Sequence, residues 1–467
     1  MIHRAAFLAL LLGALAAPAG AEIPTIRLPE CRTVKLPNGV TLLLAERREV
    51  PLIAFHAMLR GGSLTDPPGK EGVAELTARL LRKGAGGRTA REIADTVDGA
   101  GARLETGAGI ETSDLEGEFL SRDVSVFLGL LADLLRSPMF PPEEFQKAKQ
   151  QSIDALAAEK DDPAGVLGMY GLAFFYGPHP YARPLGGDEA SLRAITRDDV
   201  LACYRSQYGA DRLILALVGD FDPPAMESDL RAALGGWTAA TGTAPIPPEP
   251  PRRAGRRVLL VDKPGATQSY FWIGNLGVSR TDPDRVALDL ANTAFGGRYT
   301  SMLNTELRVR SGLTYGASCR MPRWLRAGTV AITSFTKIES TGRAVDLALG
   351  TLDSLRRRHV SAGLLASAKA YVEGQTPPRF QTCRAIASAL VDLERFGLPP
   401  DEVRGYLGRV AATDSAAVAR AIARVYPPAG DLTFVFIGDA SKLRTVVRKY
   451  GRLEEIALTT PLTRALR

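Results

Sequence analysis

Leu213–Pro223 reads LILALVGDFDP, and near the end of the chain Leu432–Lys442 reads LTFVFIGDASK. Both are apolar, β-rich runs closed by Gly-Asp, and each reads as the terminal strand of a larger unit. Working outward, SLTDP at Ser63–Pro67 recurs as SRTDP at Ser279–Pro283. The pre-helix signal Ile195-Thr196-Arg197-Asp198 recurs between Val410 and Asp414. The paired positions Thr65 and Thr281, Thr196 and Thr413, Gly219 and Gly438 stand at nearly one offset. Three echoes at a common spacing mark an internal duplication, which is harder to obtain by chance than any one of them. Between the copies, the proline-dense stretch Ala239–Arg257 forbids regular helix or central strand and predicts an extended, semi-rigid connector.

Within each copy the signals run strands first, then helices, then a strand. Val40–Leu44 and Leu52–Leu59 read as strands. A helix from about Lys70 to Lys83 places Val73, Leu76, Leu80 and Leu81 on one stripe, with Gly84 as its stop. Thr89-Ala90-Arg91-Glu92 is a capping box, and Glu143–Glu159 is a long helical run ended by Asp161-Asp162-Pro163. The second copy predicts strands at Val258–Val261 and Tyr270–Leu276, with helices at Asp284–Phe295 and Ser301–Val309. The expected fold class is α+β, with two duplicated halves, each an antiparallel sheet with helices packed on one side. The expected segments are 1–21, 22–238, the linker 239–257, and 258–467.

With 467 residues, 45% of them hydrophobic and 23% charged, the composition excludes disordered, collagen-like and polytopic membrane chains. A net charge of +7 on so long a chain, without basic runs interleaved with aromatics, gives no reason to expect a nucleic-acid partner. The N-terminus carries Arg4, the apolar run Ala5–Ala17 and then Ala19-Gly20-Ala21, the pattern of a secretory signal peptide over residues 1–21. That run is too short to cross a bilayer, so no transmembrane segment is expected and a periplasmic location is. Cys31, Cys203, Cys319 and Cys383 form no C-x-x-C pair. They leave open up to two disulfides or a set of buried thiols acting as small hydrophobes.

Long ordered blocks carry a resemblance: LPNGVTLLL, GGSLTDPPGKEGVAELTARLLRKGA, HPYARPLGGDEASLRAITRDDVLACYRSQYGADRLILALVGDFDP, GATQSYFWIGNLGVSRTDP and FGGRYTSMLNTELRVRSGLTYGAS. On these the chain resembles the pitrilysin/insulinase superfamily of zinc peptidases, and within it the mitochondrial-processing-peptidase-like branch of paired subunits. The resemblance implies that this chain forms half of a clam-shaped chamber.

Catalytic members of that superfamily carry H-x-x-E-H on the first helix, two histidines for zinc and a glutamate to activate water. Here the five positions read Glu75-Leu76-Thr77-Ala78-Arg79, and the family's third ligand aligns with Ala155. Glu75, Ala78, Arg79 and Ala155 are therefore degenerate zinc-site positions, and no metal is expected in this chain. The four histidines, His3, His56, His179 and His359, are scattered and do not rebuild the site. At i and i+4, Glu75 and Arg79 predict a helix-surface ion pair in its place. Glu105-Thr106 stands where active first halves present Asn-Ala on the substrate-binding edge strand.

Arg308 and Tyr315 match the arginine–tyrosine pair of the family's C-terminal halves, which holds the substrate carbonyl and stabilises the tetrahedral intermediate. A guanidinium and a phenol can both donate to a developing oxyanion. Another reading has Arg308 salt-bridged near Glu306 and Tyr315 packed into the following strand. The resemblance implies a zinc-free subunit of a heterodimeric metallopeptidase, inactive alone. Its partner would be a homologous, zinc-bearing subunit and its substrate a peptide or unfolded polypeptide. A non-catalytic binding or assembly scaffold, similar to the core subunits of a respiratory complex, is the alternative.

Overall fold

The computed structural model describes residues 25–462. The expected signal peptide, residues 1–21, lies outside the described residues. Two six-stranded sheets form the frame. The first contains β1 (Cys31–Lys35), β2 (Thr41–Glu46), β3 (Leu52–Arg60), β4 (Arg103–Ala108), β5 (Thr112–Leu120) and β6 (Leu213–Gly219). The second contains β7 (Arg257–Asp262), β8 (Gln268–Leu276), β9 (Ala317–Arg320), β10 (Thr329–Lys337), β11 (Thr433–Gly438) and β12 (Arg452–Ala457).

Their strand orders, β4-β5-β3-β6-β2-β1 and β9-β10-β8-β11-β7-β12, superimpose position by position. The duplication read from the sequence is thus a duplication of topology, with one exchange at the edge. That edge strand precedes the first sheet's core in sequence and follows the second's. The ladders are antiparallel except where the late strand returns from the helices: β6 inserts parallel to β2, and β11 parallel to β7. The edge strand β12 is also parallel to β7. A return through a long helical crossover permits this direction, whereas a tight turn would impose the opposite one.

Local signals translate closely. The capping box forms at Thr89 and Glu92, and the repeated pre-helix signals place Thr196 and Asp414 as N-caps of the helices Arg197–Gln207 and Ser415–Val425. The helix expected from Lys70 narrows to Val73–Leu80 followed by a 3-10 turn, and that expected from Ser301 to Met302–Asn304 followed by a π-helical turn, Thr305–Arg310. No helix or strand falls between Leu234 and Arg257. The Gly-Asp closing β6 needs its glycine, because Gly219 has φ +154° and a Cβ there would lie 2.1 Å from the Leu52 carbonyl oxygen.

Each half's own helices cover one face of its sheet, as expected. The opposite faces are covered by an exchange of helices that the sequence pattern did not announce. Ile214, Ala216 and Val218 on β6, with Ala54 and Met58 on β3, pack against Ile386, Ala387, Leu390 and Val391 of the Cys383–Phe396 helix, which belongs to the second half. Reciprocally, the Pro163–Tyr176 helix of the first half lays Val166, Leu167, Tyr170 and Phe174 on Leu259, Val261, Trp272, Val435 and Ile437 of the second sheet. Both terminal strands are therefore buried on both faces, which is why neither alternates polar and apolar residues.

A polar lock joins the halves beside this exchange. The buried Glu111 carboxylate accepts from the Tyr181 hydroxyl, from the Leu325 backbone N–H at 3.1 Å and from the Arg395 guanidinium. Tyr181 belongs to the first half, Leu325 and Arg395 to the second. Removing one member of such a buried ion pair typically costs about 3–5 kcal/mol.

Gly171 sits where the Pro163–Tyr176 helix crosses the indole of Trp272, with ring atoms 2.8 Å from the position a Cβ would take. Gly171→Val is expected to lower stability by about 1–3 kcal/mol through overpacking. Urea unfolding checks this, and an unchanged midpoint would show that the inter-half contact is looser than described.

Candidate functional site

The Val73–Leu80 helix runs beside the edge strand β4, and its start is pinned by Asp66. The Asp66 carboxylate accepts from Gly72 N–H at 2.7 Å and Ala74 N–H at 3.0 Å. Burial pushes Asp66 up to about 7, against the pull of those two N–H groups and of Arg183.

On this helix the expected Glu75–Arg79 ion pair is not made, because each side chain finds a nearer partner. Glu75 Oε2 accepts from the Ala108 backbone N–H at 2.6 Å, and Arg79 Nη1 donates to Ser152 Oγ at 2.8 Å. Burial raises the Glu75 carboxyl above its usual range, opposed by the Ala108 N–H and by Arg79. Ala78 is fully buried, and Ala155 is exposed one turn beyond Ser152. Zinc requires three convergent lone-pair donors. Here the positions offer one carboxylate already bonded to backbone, two methyl groups and a cation, so they do not fit the metal. Among the described residues, no group of three His, Cys, Asp or Glu side chains could hold an ion.

The edge strand is occupied as well. Glu75 takes the Ala108 N–H, and Arg82 Nη1 donates to the Leu104 carbonyl at 3.1 Å. A peptide adding to β4 would have to displace both. Glu105 is held by Arg103 at 2.5 Å and lies 3.5 Å from Arg384. Of the three described histidines, His56 and His179 are held by hydrogen bonds within the fold. His56 Nε2 bonds Asp114 at 2.9 Å. His179 donates from Nε2 to the Pro248 carbonyl at 3.0 Å and accepts at Nδ1 from Tyr181 N–H, and burial lowers its proton affinity. His359 ends a helix at φ +57°. All four cysteines are free thiols, and burial pushes Cys203 and Cys319 up to about 12, leaving both protonated.

The second half is arranged differently. Ser301 caps the short helix Met302–Asn304, which continues into the π turn carrying Arg308. Such turns are rare and cluster at functional sites. Glu306 pairs with Arg310 at 2.6 Å and so leaves Arg308 without a carboxylate. The Arg308 guanidinium lies over the Tyr299 ring, 4.7 Å from its centroid, and lines a cavity of about 1240 Å³. The second sheet, near β8–β10, forms one wall, and the first half's Pro163–Tyr176 helix closes the other. Tyr315 does not pack into the strand; it is 79% exposed on the loop before β9, which Thr314 braces by accepting from Gly316 N–H. The structure does not bring Arg308 and Tyr315 into contact with each other. Tyr299 was missed by sequence reasoning, and no periodicity links it to Arg308.

Two outcomes follow from the first-half geometry. The chain dialysed against micromolar zinc is expected to retain no stoichiometric metal by elemental analysis; one zinc per chain would contradict the reading of Glu75, Ala78, Arg79 and Ala155. Asp66 titrates higher folded than unfolded, so between about pH 4 and pH 7 the native state holds a proton that the unfolded chain has released. Its contribution to stability should therefore decline as pH rises through that window. Denaturation curves should show the decline in the wild type and a flatter profile in Asp66→Asn.

Two family models match the chain, insulinase (peptidase family M16) over residues 54–189 and the peptidase M16 inactive domain over residues 194–372. An uncharacterized zinc protease of Streptomyces coelicolor is 23% identical over 84% of this chain and 86% of its own length. Another from Mycobacterium leprae is 26% identical over 65% and 68%. Among solved structures, a peptidase M16 inactive domain from Pseudomonas fluorescens superimposes with TM-score 0.82 at 23% identity, covering 88% of this chain and 98% of that one. A protease from Helicobacter pylori superimposes with TM-score 0.81 at 18% identity, covering 88% and 100%. Duplicated sheets, matched blocks and replaced zinc positions together make this chain a member of the insulinase (M16) peptidase family that lacks the zinc-binding residues.

Proposed function

We propose that the chain is the zinc-free subunit of an exported heterodimeric metallopeptidase, cleaving peptides or unfolded polypeptides only with a homologous partner that bears H-x-x-E-H. The observation that carries this reading is the contrast between the halves. In the first, Glu75 and Arg79 are held by hydrogen bonds, Ala78 is packed and Ala155 offers only a methyl group; in the second, Arg308 has no carboxylate partner, lies on Tyr299 and lines a large cavity. The N-terminal signal pattern supports export.

In this reading, zinc, general base and substrate edge strand come from the partner, and this chain supplies Arg308 and Tyr315. As water adds to a scissile carbonyl, its oxygen gains negative charge. Arg308 supplies a fixed positive charge and N–H donors, and the Tyr315 phenol one further donor. Tyr315, being exposed, is free to meet a substrate held at the partner's face.

The test uses the complex of this chain with the proposed H-x-x-E-H-bearing partner on quenched peptides. Arg308→Ala is expected to lower kcat about 10²–10³-fold, as loss of an oxyanion donor does, while gel filtration shows assembly unchanged. Wild-type turnover by that variant would refute the assignment. A wild-type complex that forms but cleaves nothing would transfer the chain to the scaffold class.

A further inference from the structure

The charge lining the cavity around Arg308 is not explained by the needs of the fold. Arg298, Arg308 and Arg320 line it, and no aspartate or glutamate does. Among the described residues, no carboxylate stands within the 4.0 Å ion-pair distance of any of the three. Arg298 is the sharpest case, since the residue is only 8% exposed. One Nη donates to the Ser367 carbonyl at 2.8 Å, the guanidinium lies 5.7 Å from the centre of the Tyr371 ring, and the buried Nε has no partner. A buried cation without a counter-charge destabilises the empty protein and is compensated when a ligand brings one.

The size and walls of the cavity narrow the ligand. At about 1240 Å³ it exceeds the roughly 300–1,000 Å³ of pockets that take drug-sized molecules. Tyr299, Tyr371 and Trp324 offer aromatic surface beside the arginines. Strand addition is opposed, because three outward groups of β9 already have partners: Ala317 N–H donates to Asn304 Oδ1, Cys319 N–H to the Gly296 carbonyl, and the Cys319 carbonyl accepts from Asn292. Recognition here falls to side chains.

We propose that this cavity binds acidic peptide segments, with glutamate or aspartate carboxylates against Arg298, Arg308 and Arg320 and neighbouring apolar or aromatic residues on Tyr299, Tyr371 and Trp324. Bidentate carboxylate recognition by arginine supplies the preference. Binding is a property of this chain alone; that a bound segment is then cleaved rests on the peptidase-subunit reading.

Fluorescence anisotropy on the purified full chain tests the proposal with a labelled peptide, blocked at both ends, that pairs two glutamates with an aromatic residue. A glutamine version, a glutamine version with a free C-terminal carboxylate, and inorganic phosphate as competitor complete the set. The glutamate peptide should bind at least about tenfold tighter than its glutamine counterpart, with the advantage shrinking as salt is raised. Arg320→Gln, at an exposed position, should remove most of that preference, and Arg298→Gln should do the same if it folds. Equal binding of the two blocked peptides would overturn the proposal. Tighter binding of the free-carboxylate peptide would overturn the side-chain assignment in favour of the peptide C-terminus, and displacement by phosphate without peptide preference would reduce the cavity to an anion site. Because the readout is binding by the isolated chain, a complex that cleaves nothing leaves this result untouched. Loss of the preference in turn leaves partner-dependent cleavage standing.

Discussion

Each sheet in this chain has two apolar faces, and the half that builds a sheet has helices enough to cover only one. The Pro163–Tyr176 helix leaves the first half to seal the second sheet, and the Cys383–Phe396 helix returns the cover to the first. Everything else depends on that exchange. Separating the halves would expose Trp272, Val435 and Ile437 on one side and Ile214, Ala216 and Val218 on the other, surface whose burial contributes about 25 cal/mol per Å². The Glu111–Arg395 pair sits at the same junction and would be left as two desolvated charges by any partial opening. The halves therefore behave as one body, and the cavity holding Arg308, with one wall from each, exists only in that assembled state.

The same scaffold treats its two ends in opposite ways. Beside the first helix, side chains close the site: Glu75 takes the Ala108 N–H and Arg82 the Leu104 carbonyl of β4, and Arg79 is turned to Ser152. Beside the π turn, the second half leaves cations open. Hydrogen-bonding capacity that an edge strand would offer a substrate has been internalised in one half, and charge that a fold would ordinarily neutralise has been left exposed to a cavity in the other.

Much of this was legible in the sequence, and what was not has identifiable causes. Duplication, capping boxes and the terminal strands are local signals, and they survived because tertiary packing agrees with them. The helix exchange is non-local; its one trace was that LGMYGLAFFY, Leu167–Tyr176, is apolar all round, as a helix buried on several sides must be. Spacing alone predicted the Glu75–Arg79 pair, and it failed because i, i+4 attraction is worth only about 0.3–0.5 kcal/mol and yields to a part-buried backbone donor at 2.6 Å. The replaced metal positions could be named from the motif. Ser152, the residue that faces Arg79, could not, because helix register shifts by a turn without changing the pattern. The stacking of Arg308 on Tyr299 depends on a π turn, which no periodicity announces.

A comparison within the second half shows why the unpaired arginines carry information. Elsewhere in the second half, Glu402 is buried and drawn on by Arg285, Arg280 and Arg409. Burial alone would raise its carboxyl, yet the three guanidinium groups hold it below the usual range. There, three arginines converge on one carboxylate that answers their charge. Around the cavity, three arginines line the wall and no carboxylate does, although the chain has 51 acidic residues from which one could have been supplied. At the cavity the protein supplies a carbonyl to Arg298 and aromatic rings to Arg298 and Arg308, but no counter-charge. Their charge is arranged for something that comes from outside.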